Sequence, residues 1–223
     1  MWVVLLVSLL FIGGVLADTV IDQGIELSTA YPAANKIVRD SDGDIWVASI
    51  DSDSSCVVYF SSDNGVTWGN PTYFLNEVGN CTSVAMAIDS SDALHISSVY
   101  DGLFHYSKCD SDCTSSVNWS TFVSEVPVAA SMSVGVSDVN FHTLYTITGD
   151  LFYATCGFSY DCTNSANWGF IKIDDSDTVT DTSLVVGDNG EIDILWITDG
   201  SIYYGYCAGN CATAGFGTPV SLG

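Results

Sequence analysis

Positive charge is almost missing from this 223-residue chain. Four basic residues, Lys36, Arg39, Lys108 and Lys172, stand against 27 Asp and Glu, a formal net charge of −23. Four cations cannot draw a footprint for nucleic acid or anionic lipid, so those partners are excluded. Glutamate is scarce too, at Glu26, Glu77, Glu125 and Glu191, and no pair stands out as an acid/base couple for glycoside cleavage. No segment keeps a helical period over the length of an ordinary helix. No phosphate-binding glycine loop or dinucleotide fingerprint is present. Yet 48% of the residues are hydrophobic and 14% charged, which rules out a disordered acidic tail.

Residues 1–17 read as a removable leader. Trp2 to Ala17 is almost wholly apolar and ends in Val15-Leu16-Ala17, small enough at the right places for cleavage before Asp18. The alternative, a membrane anchor, is shorter than the ~20 residues that span a bilayer. No other run is long and apolar enough, so no stable membrane span is expected after cleavage. The expected location is outside the cell or at its surface. Eight cysteines in an exported chain favour disulfides over thiols or zinc. Two sequons, at Asn80 and Asn118, are glycosylation candidates.

The dominant signal is self-similarity at about 49 residues. Four segments share the form apolar run, Asp-containing turn, apolar run, with turn aspartates Asp40, Asp89, Asp138 and Asp188 spaced 49, 49 and 50 apart. Each is followed by a second turn and a third strand, then a tip, then an aromatic at Trp68, Trp119, Trp168 or Phe216. Short alternating runs of Val, Ile, Tyr and Phe between Gly, Asp, Asn and Ser links read as β-meanders. Four strands per ~49 residues is the blade of a β-propeller. The expected fold is therefore all-β: about four four-stranded antiparallel blades, spanning approximately 18–77, 78–127, 128–177 and 178–223. It is either a complete small ring or part of a six- to eight-bladed one. The stretch Thr19–Leu27 reads as a strand that could close such a ring.

Ser61-Ser62-Asp63-Asn64-Gly65-Val66-Thr67-Trp68 matches the pattern Ser-x-Asp-x-Gly-x-Thr-Trp in full. It resembles the Asp-box, the bacterial neuraminidase repeat of sialidase-like propellers. The resemblance implies a hairpin between third and fourth strands, where Ser61, Asp63, Gly65, Thr67 and Trp68 serve folding. Asp63 bonds backbone N–H groups, Gly65 supplies positive φ, and Trp68 packs inward. In the family the box lies opposite the active site. Sialidase activity in that family needs three arginines, a Tyr/Glu nucleophile pair and an Asp acid/base. This chain has one arginine, Arg39, and lysine does not reproduce bidentate clamping of a carboxylate. Sialidase activity is accordingly not expected.

The other three repeats carry cysteines at the tip: Cys109 with Cys113, Cys156 with Cys162, and Cys207 with Cys211. Each pair reads as a disulfide across a hairpin tip in place of the Asp-box. Cys56 and Cys81 remain, and pair by elimination. Metal binding is the rival reading for the tip cysteines, but no His lies near in sequence to complete a tetrahedral site.

Two acidic groups stand out. Asp40, Asp42 and Asp44 resemble the start of a calcium loop, although the full twelve-residue pattern fails and a plain hairpin is the favoured reading. Calcium is the one cofactor considered. The second turns bring Asp51 and Asp53, Asp101, Asp150 and Asp199 to corresponding places, 49 apart in the last three blades. They read either as Asp-Gly turn chemistry or as a ring on one face that binds a cation or a polyhydroxylated ligand. His95, His105 and His142 fall in expected strands as structural histidines. The reading is a secreted, non-catalytic propeller that binds a glycan or an extracellular protein. The alternatives are the propeller portion of a glycoside hydrolase and a purely structural repeat.

Overall fold

The computed structural model describes residues 35–75, 78–127 and 132–223. The leader and the stretch Thr19–Leu27 lie outside the described residues. The chain folds into four antiparallel sheets, each a meander in sequence order. The first sheet holds β1 (Ile37–Arg39), β2 (Ile45–Ile50) and β3 (Cys56–Ser61). The second holds β4 (Cys81–Ile88), β5 (Leu94–Tyr100), β6 (Leu103–Cys109) and β7 (Ser120–Pro127). The third holds β8 (Met132–Val136), β9 (Asn140–Ile147), β10 (Asp150–Gly157) and β11 (Trp168–Asp174). The fourth holds β12 (Asp181–Val186), β13 (Ile192–Thr198), β14 (Ser201–Cys207) and β15 (Val220–Ser221). Among the described residues the sole α-helix is the single turn α1 (Cys211–Ala214). None is long and apolar enough to cross a membrane.

One expectation needs correction: the first sheet has three strands, not four. Its fourth is reduced to a bridge between Val58 and Thr72. Gly69 N–H still reaches Phe60 O while Thr72 exchanges both backbone bonds with Val58, so this segment advances three residues where β3 advances two, and the extra residue breaks the ladder.

The sheets stack face to face as blades, because a single meander cannot bury both of its faces. Three apolar layers lie between the four sheets. Trp46, Ala48, Ile50 and Phe74 of the first meet Val84, Met86, Leu94 and Ile96 of the second. Ala85, Phe104 and Tyr106 of the second meet Val134, Phe141 and Tyr145 of the third. Leu144, Leu151 and Tyr153 of the third meet Leu184, Ile192, Ile194 and Trp196 of the fourth. The period-2 alternation of a strand sends one set to each side. In β4, Val84 and Met86 thus face one layer while Ala85 and Ala87 face the next.

The first strands of the blades run next to one another. Asn35, just before β1, holds three of them: Met86 N–H donates to its carbonyl, and its own amide donates to Val134 O. Lys36 donates to Val84 O at 3.0 Å, and burial lowers its amine to about 8. On the fourth blade, the face turned away from the third leaves Val185, Leu195, Ile202 and Tyr206 exposed.

Candidate functional site

The tips repeat one design in two chemistries. In the first blade, Ser61 Oγ accepts from Gly65 N–H, and Asp63 accepts from both the N–H and the hydroxyl of Thr67. Those bonds hold the Asp63 carboxyl below its usual range, the Thr67 hydroxyl contributing most. Gly65 sits at φ +82°, a region costly for any residue with a Cβ. Trp68 Nε1 donates to Gly65 O at 3.1 Å. Strand register places Ser61 opposite Ile45, as Cys109 lies opposite Leu94, Cys156 opposite Phe141 and Cys207 opposite Ile192. The first cysteine of each tip therefore takes the place of Ser61. Disulfides join Cys109 to Cys113, Cys156 to Cys162 and Cys207 to Cys211. The fourth, Cys56–Cys81, ties β3 to β4 across the first two blades.

The tip tryptophans follow the same rule. Trp119 Nε1 donates to Cys113 O and Trp168 Nε1 to Cys162 O, each six residues back. Both rings are buried, whereas Trp68 is half-buried and sits at the edge of its layer. Phe216 meets Tyr153 edge to face at 5.3 Å. The Asn118 side-chain amide donates to Asp112 O, as Asn167 does to Asp161 O. Asn80, the other sequon residue, is exposed at φ +60°.

At the same end of each blade the first turn supports a polar group on the second strand. Asp40 Oδ1 accepts from Asp44 N–H, while Oδ2 accepts from Trp46 Nε1. Asp89 repeats this with Ala93 N–H and His95 Nε2. In the third blade the residue in that place is Ser137, not Asp138: its hydroxyl contacts His142 Nε2 at 3.2 Å and accepts from Asn140 N–H. In the fourth it is Gly187, whose N–H closes the turn onto Glu191 O. Asp138 and Asp188 are thus one position past the structural equivalents of Asp40 and Asp89, and both are exposed. Eleven residues after each of these two histidines stands a tyrosine. His95 Nδ1 meets Tyr106 OH at 2.8 Å and His142 Nδ1 meets Tyr153 OH at 2.6 Å. Asp193 accepts from Tyr204 OH at 2.5 Å in the fourth blade. Burial lowers both histidines, His142 to about 4, so both imidazoles are neutral at pH 7.

What lies over these pairs differs between clefts, and tip length decides it. The third tip has six residues of separation between its cysteines, and its Phe158 stacks on His95 at 4.6 Å. That stopper leaves a hollow of about 310 Å³ between the second and third blades, and it does not reach His95. The fourth tip is shorter, with a separation of four, and offers Gly209 and Asn210 at that level. The cleft between the third and fourth blades is therefore open over His142, with a volume of about 570 Å³. Its floor is His142, Tyr153 and Thr155. Its walls are the turn Ser137–Asn140, the turn Asp188–Gly190 and the tip Gly209–Cys211. The walls carry carboxylates, amides and hydroxyls, and no basic side chain lines it except the neutral imidazole.

The cleft is at the end of the blades opposite the second turns singled out from the sequence. There, Asp51 Oδ1 accepts from Asp53 N–H and Ser55 N–H. Asp101 and Asp199 are exposed at φ +53° and +50°, and Asp150 pairs with Lys172 Nζ at 2.6 Å. Lys172 is the first cause of the lowered Asp150 carboxyl. At the calcium-loop candidate, Asp42 and Asp44 accompany Asp40; Asp44 is raised, desolvation contributing most, with Asp40 and Asp42 adding repulsion. Among the described residues no three His, Cys, Asp or Glu side chains cluster closely enough to hold a metal ion. The open cleft could have been sought through the eleven-residue spacing of His142 and Tyr153, which the sequence displays twice with histidine.

No protein-family model matches the chain, and no curated protein sequence does. Solved structures do match. A mutant Aleuria aurantia lectin in complex with α-methyl-L-fucoside aligns at 11% identity and TM-score 0.58, over 84% of this chain and 59% of that one. Another structure of the same fungal lectin, described as a six-bladed β-propeller, aligns at 13% identity and TM-score 0.56, over 84% and 60%. The Podospora anserina α-L-arabinofuranosidase in complex with cellotriose aligns at 13% and 0.52, over 89% and 70%. The chain spans about 60% of the length of the lectin structures. These likenesses establish the β-propeller fold, and nothing in them singles out a sialidase.

Proposed function

We propose that this protein is a secreted, non-catalytic propeller that binds neutral glycans in the cleft between its third and fourth blades. One observation carries the reading: a well-formed cleft lined by converging amides, carboxylates and hydroxyls over a buried His142–Tyr153 floor. Sugar hydroxyls need paired donors and acceptors of this kind, and pockets of ~300–1,000 Å³ are the usual size for small ligands. Asp138 and Asp188 in the walls, and a net charge of −23, repel anionic sugars. The fold neighbours, a lectin and a glycosidase, support the class of ligand. Four disulfides and the apolar leader sequence support export. The Asp-box geometry at Ser61–Trp68 supports a place among Asp-box propellers without their sialidase chemistry. Arg39, the one arginine, is engaged by Gly43 O and Asn64 Oδ1. The exposed apolar face of the fourth blade supports reading the sheets as an arc of a larger ring.

A glycan array carrying neutral, amino and anionic sugars tests the proposal. Binding to neutral glycans is expected, weakened about tenfold or more in Asn189→Ala, the loss of roughly 1.4 kcal/mol. A preference for sialylated or sulfated glycans, or undiminished binding by a folded Asn189→Ala, contradicts it. One observation favours a hydrolytic second reading: Asp138 and Asp188, from adjacent blades, line the same cleft. Release of reducing sugar that is lost in Asp188→Asn would establish it.

A further inference from the structure

The cleft does not end at its inner wall. A second hollow, of about 360 Å³, shares Ser137, Asp138 and Asp188 with it. It is completed by Val136, Val186 and Gly187, at the ends of β8 and β12, and by Ser90 from the second blade's first turn. Because β8 and β12 are the first strands of their blades, this hollow lies on the inner side of the cleft. The outer cavity extends instead to the fourth tip and to β10. The two make one groove, crossing from the second blade's turn, past Asp138 and Asp188 at its waist, to Asn210.

We infer that this groove holds two adjacent sugar subsites, so that the ligand class is a neutral oligosaccharide of at least two units rather than a single sugar. The inference rests on the glycan-binding reading above. Three features carry it. Each hollow alone falls within the ~300–1,000 Å³ range of ligand pockets. The hollows adjoin across Ser137, Asp138 and Asp188, which line both, so one chain crossing these three residues touches both. Their chemistry is complementary along its length. The inner hollow offers the apolar ends of Val136 and Val186 for the C–H face of a ring, with Ser90 and Ser137 hydroxyls at its margin. The waist offers two carboxylates, which accept from the hydroxyls of both units. Gly187 contributes backbone alone to the inner hollow, and a Cβ there would come within 2.5 Å of the Glu191 carboxyl. The full groove is open because Phe158, which stoppers the preceding cleft, has no counterpart at the Gly209-Asn210 tip.

Titration calorimetry with defined sugars tests this on the full chain: glucose against cellotriose, and α-methyl-L-fucoside against Fucα1-6GlcNAc. In at least one series the longer ligand is expected to bind about tenfold or more tightly than the single sugar. In Ser90→Trp, which fills the inner hollow from an exposed turn position, that ratio is expected to fall towards one. Asp138→Asn provides a second, more conservative probe, expected to lower the ratio by replacing one of the two acceptor oxygens at the waist with a donor. Equal affinity of short and long ligands in the wild-type protein overturns the two-subsite groove while leaving the glycan reading intact. A ratio unaffected by a folded Ser90→Trp does the same. Failure of all four sugars to bind, together with an empty neutral-glycan array, overturns both.

Discussion

His142 shows how one substitution between blades changes what the fold offers. Its neighbours are hydroxyls, Ser137 Oγ, Tyr153 OH and Thr155 Oγ1, where His95 has a carboxylate on one side. Burial alone holds His142 near 4, well under the 6.5 of an exposed imidazole. Between those values the unfolded chain binds a proton that the folded one refuses, so stability falls as pH falls from 6.5 to about 4, and the His142 contribution levels off below that. The slope is at most about 1.4 kcal/mol per pH unit for one such group. Urea unfolding at pH 7 and pH 5 is expected to show this loss, and His142→Asn to flatten part of it. A pH-independent midpoint over that window would refute the buried neutral imidazole. His95 adds to the slope in the same direction, since its burial outweighs the opposing pull of Asp89.

The strand and hairpin scale is where the sequence was most legible. Cysteines four or six residues apart can meet only if the chain folds back, so the tip pairs were readable, and the Asp-box spacing marked the tip of the first blade. Inter-blade aromatics were readable because Trp119 and Trp168 recur at one spacing. Less legible was the turn register. Asp138 and Asp188 keep the 49- and 50-residue spacing of Asp40 and Asp89, yet the supporting positions are Ser137 and Gly187. A turn one residue shorter in the third blade shifts the alignment there, since Ser137 N–H bonds to Asn140 O where Asp89 N–H bonds to Ala93 O. The hydroxyl of Ser137 takes over the carboxylate's work, which no spacing rule announces. The loss of the fourth strand of the first blade also escaped, because it comes from one extra residue between Gly69 and Thr72 relative to β3, which residue types do not announce. The disulfides yield a ranked prediction. Cys56–Cys81 closes a separation of 25, the tips four or six. In the chain-entropy model the first contributes about 3.5 kcal/mol and a four-residue tip about 2. Replacing Cys56 and Cys81 together by serine is expected to lower the unfolding midpoint more than replacing Cys207 and Cys211 together. The reverse order would mean that native-state contacts at the tip, not loop closure, dominate.

At the scale of the whole molecule, the proposed function depends on a difference between repeats rather than on the repeat itself. Three layers of apolar side chains hold four near-equivalent blades in register, and the second and third junctions each carry a hollow at the tip end. The cleft between the second and third blades is stoppered by Phe158, and the one between the third and fourth is open to His142. A periodic sequence advertises the frame but hides this asymmetry, because it arises from two extra residues in one tip seen against their absence in the next. Sequence reasoning placed its one ligand-ring alternative at the other end of the blades, where Asp51, Asp53, Asp101, Asp150 and Asp199 gather by spacing, beside the plainer reading of turn chemistry; that ring stands as a separate proposal. The two ends can be told apart in one experiment. Amide chemical shifts of isotope-labelled protein, recorded while cellotriose or Fucα1-6GlcNAc is added, are predicted to move at Ser137–His142, Asp188–Gly190 and Gly209–Cys211. Shifts confined to the second turns around Asp53, Asp101 and Asp199, or no shifts at all, would contradict the account.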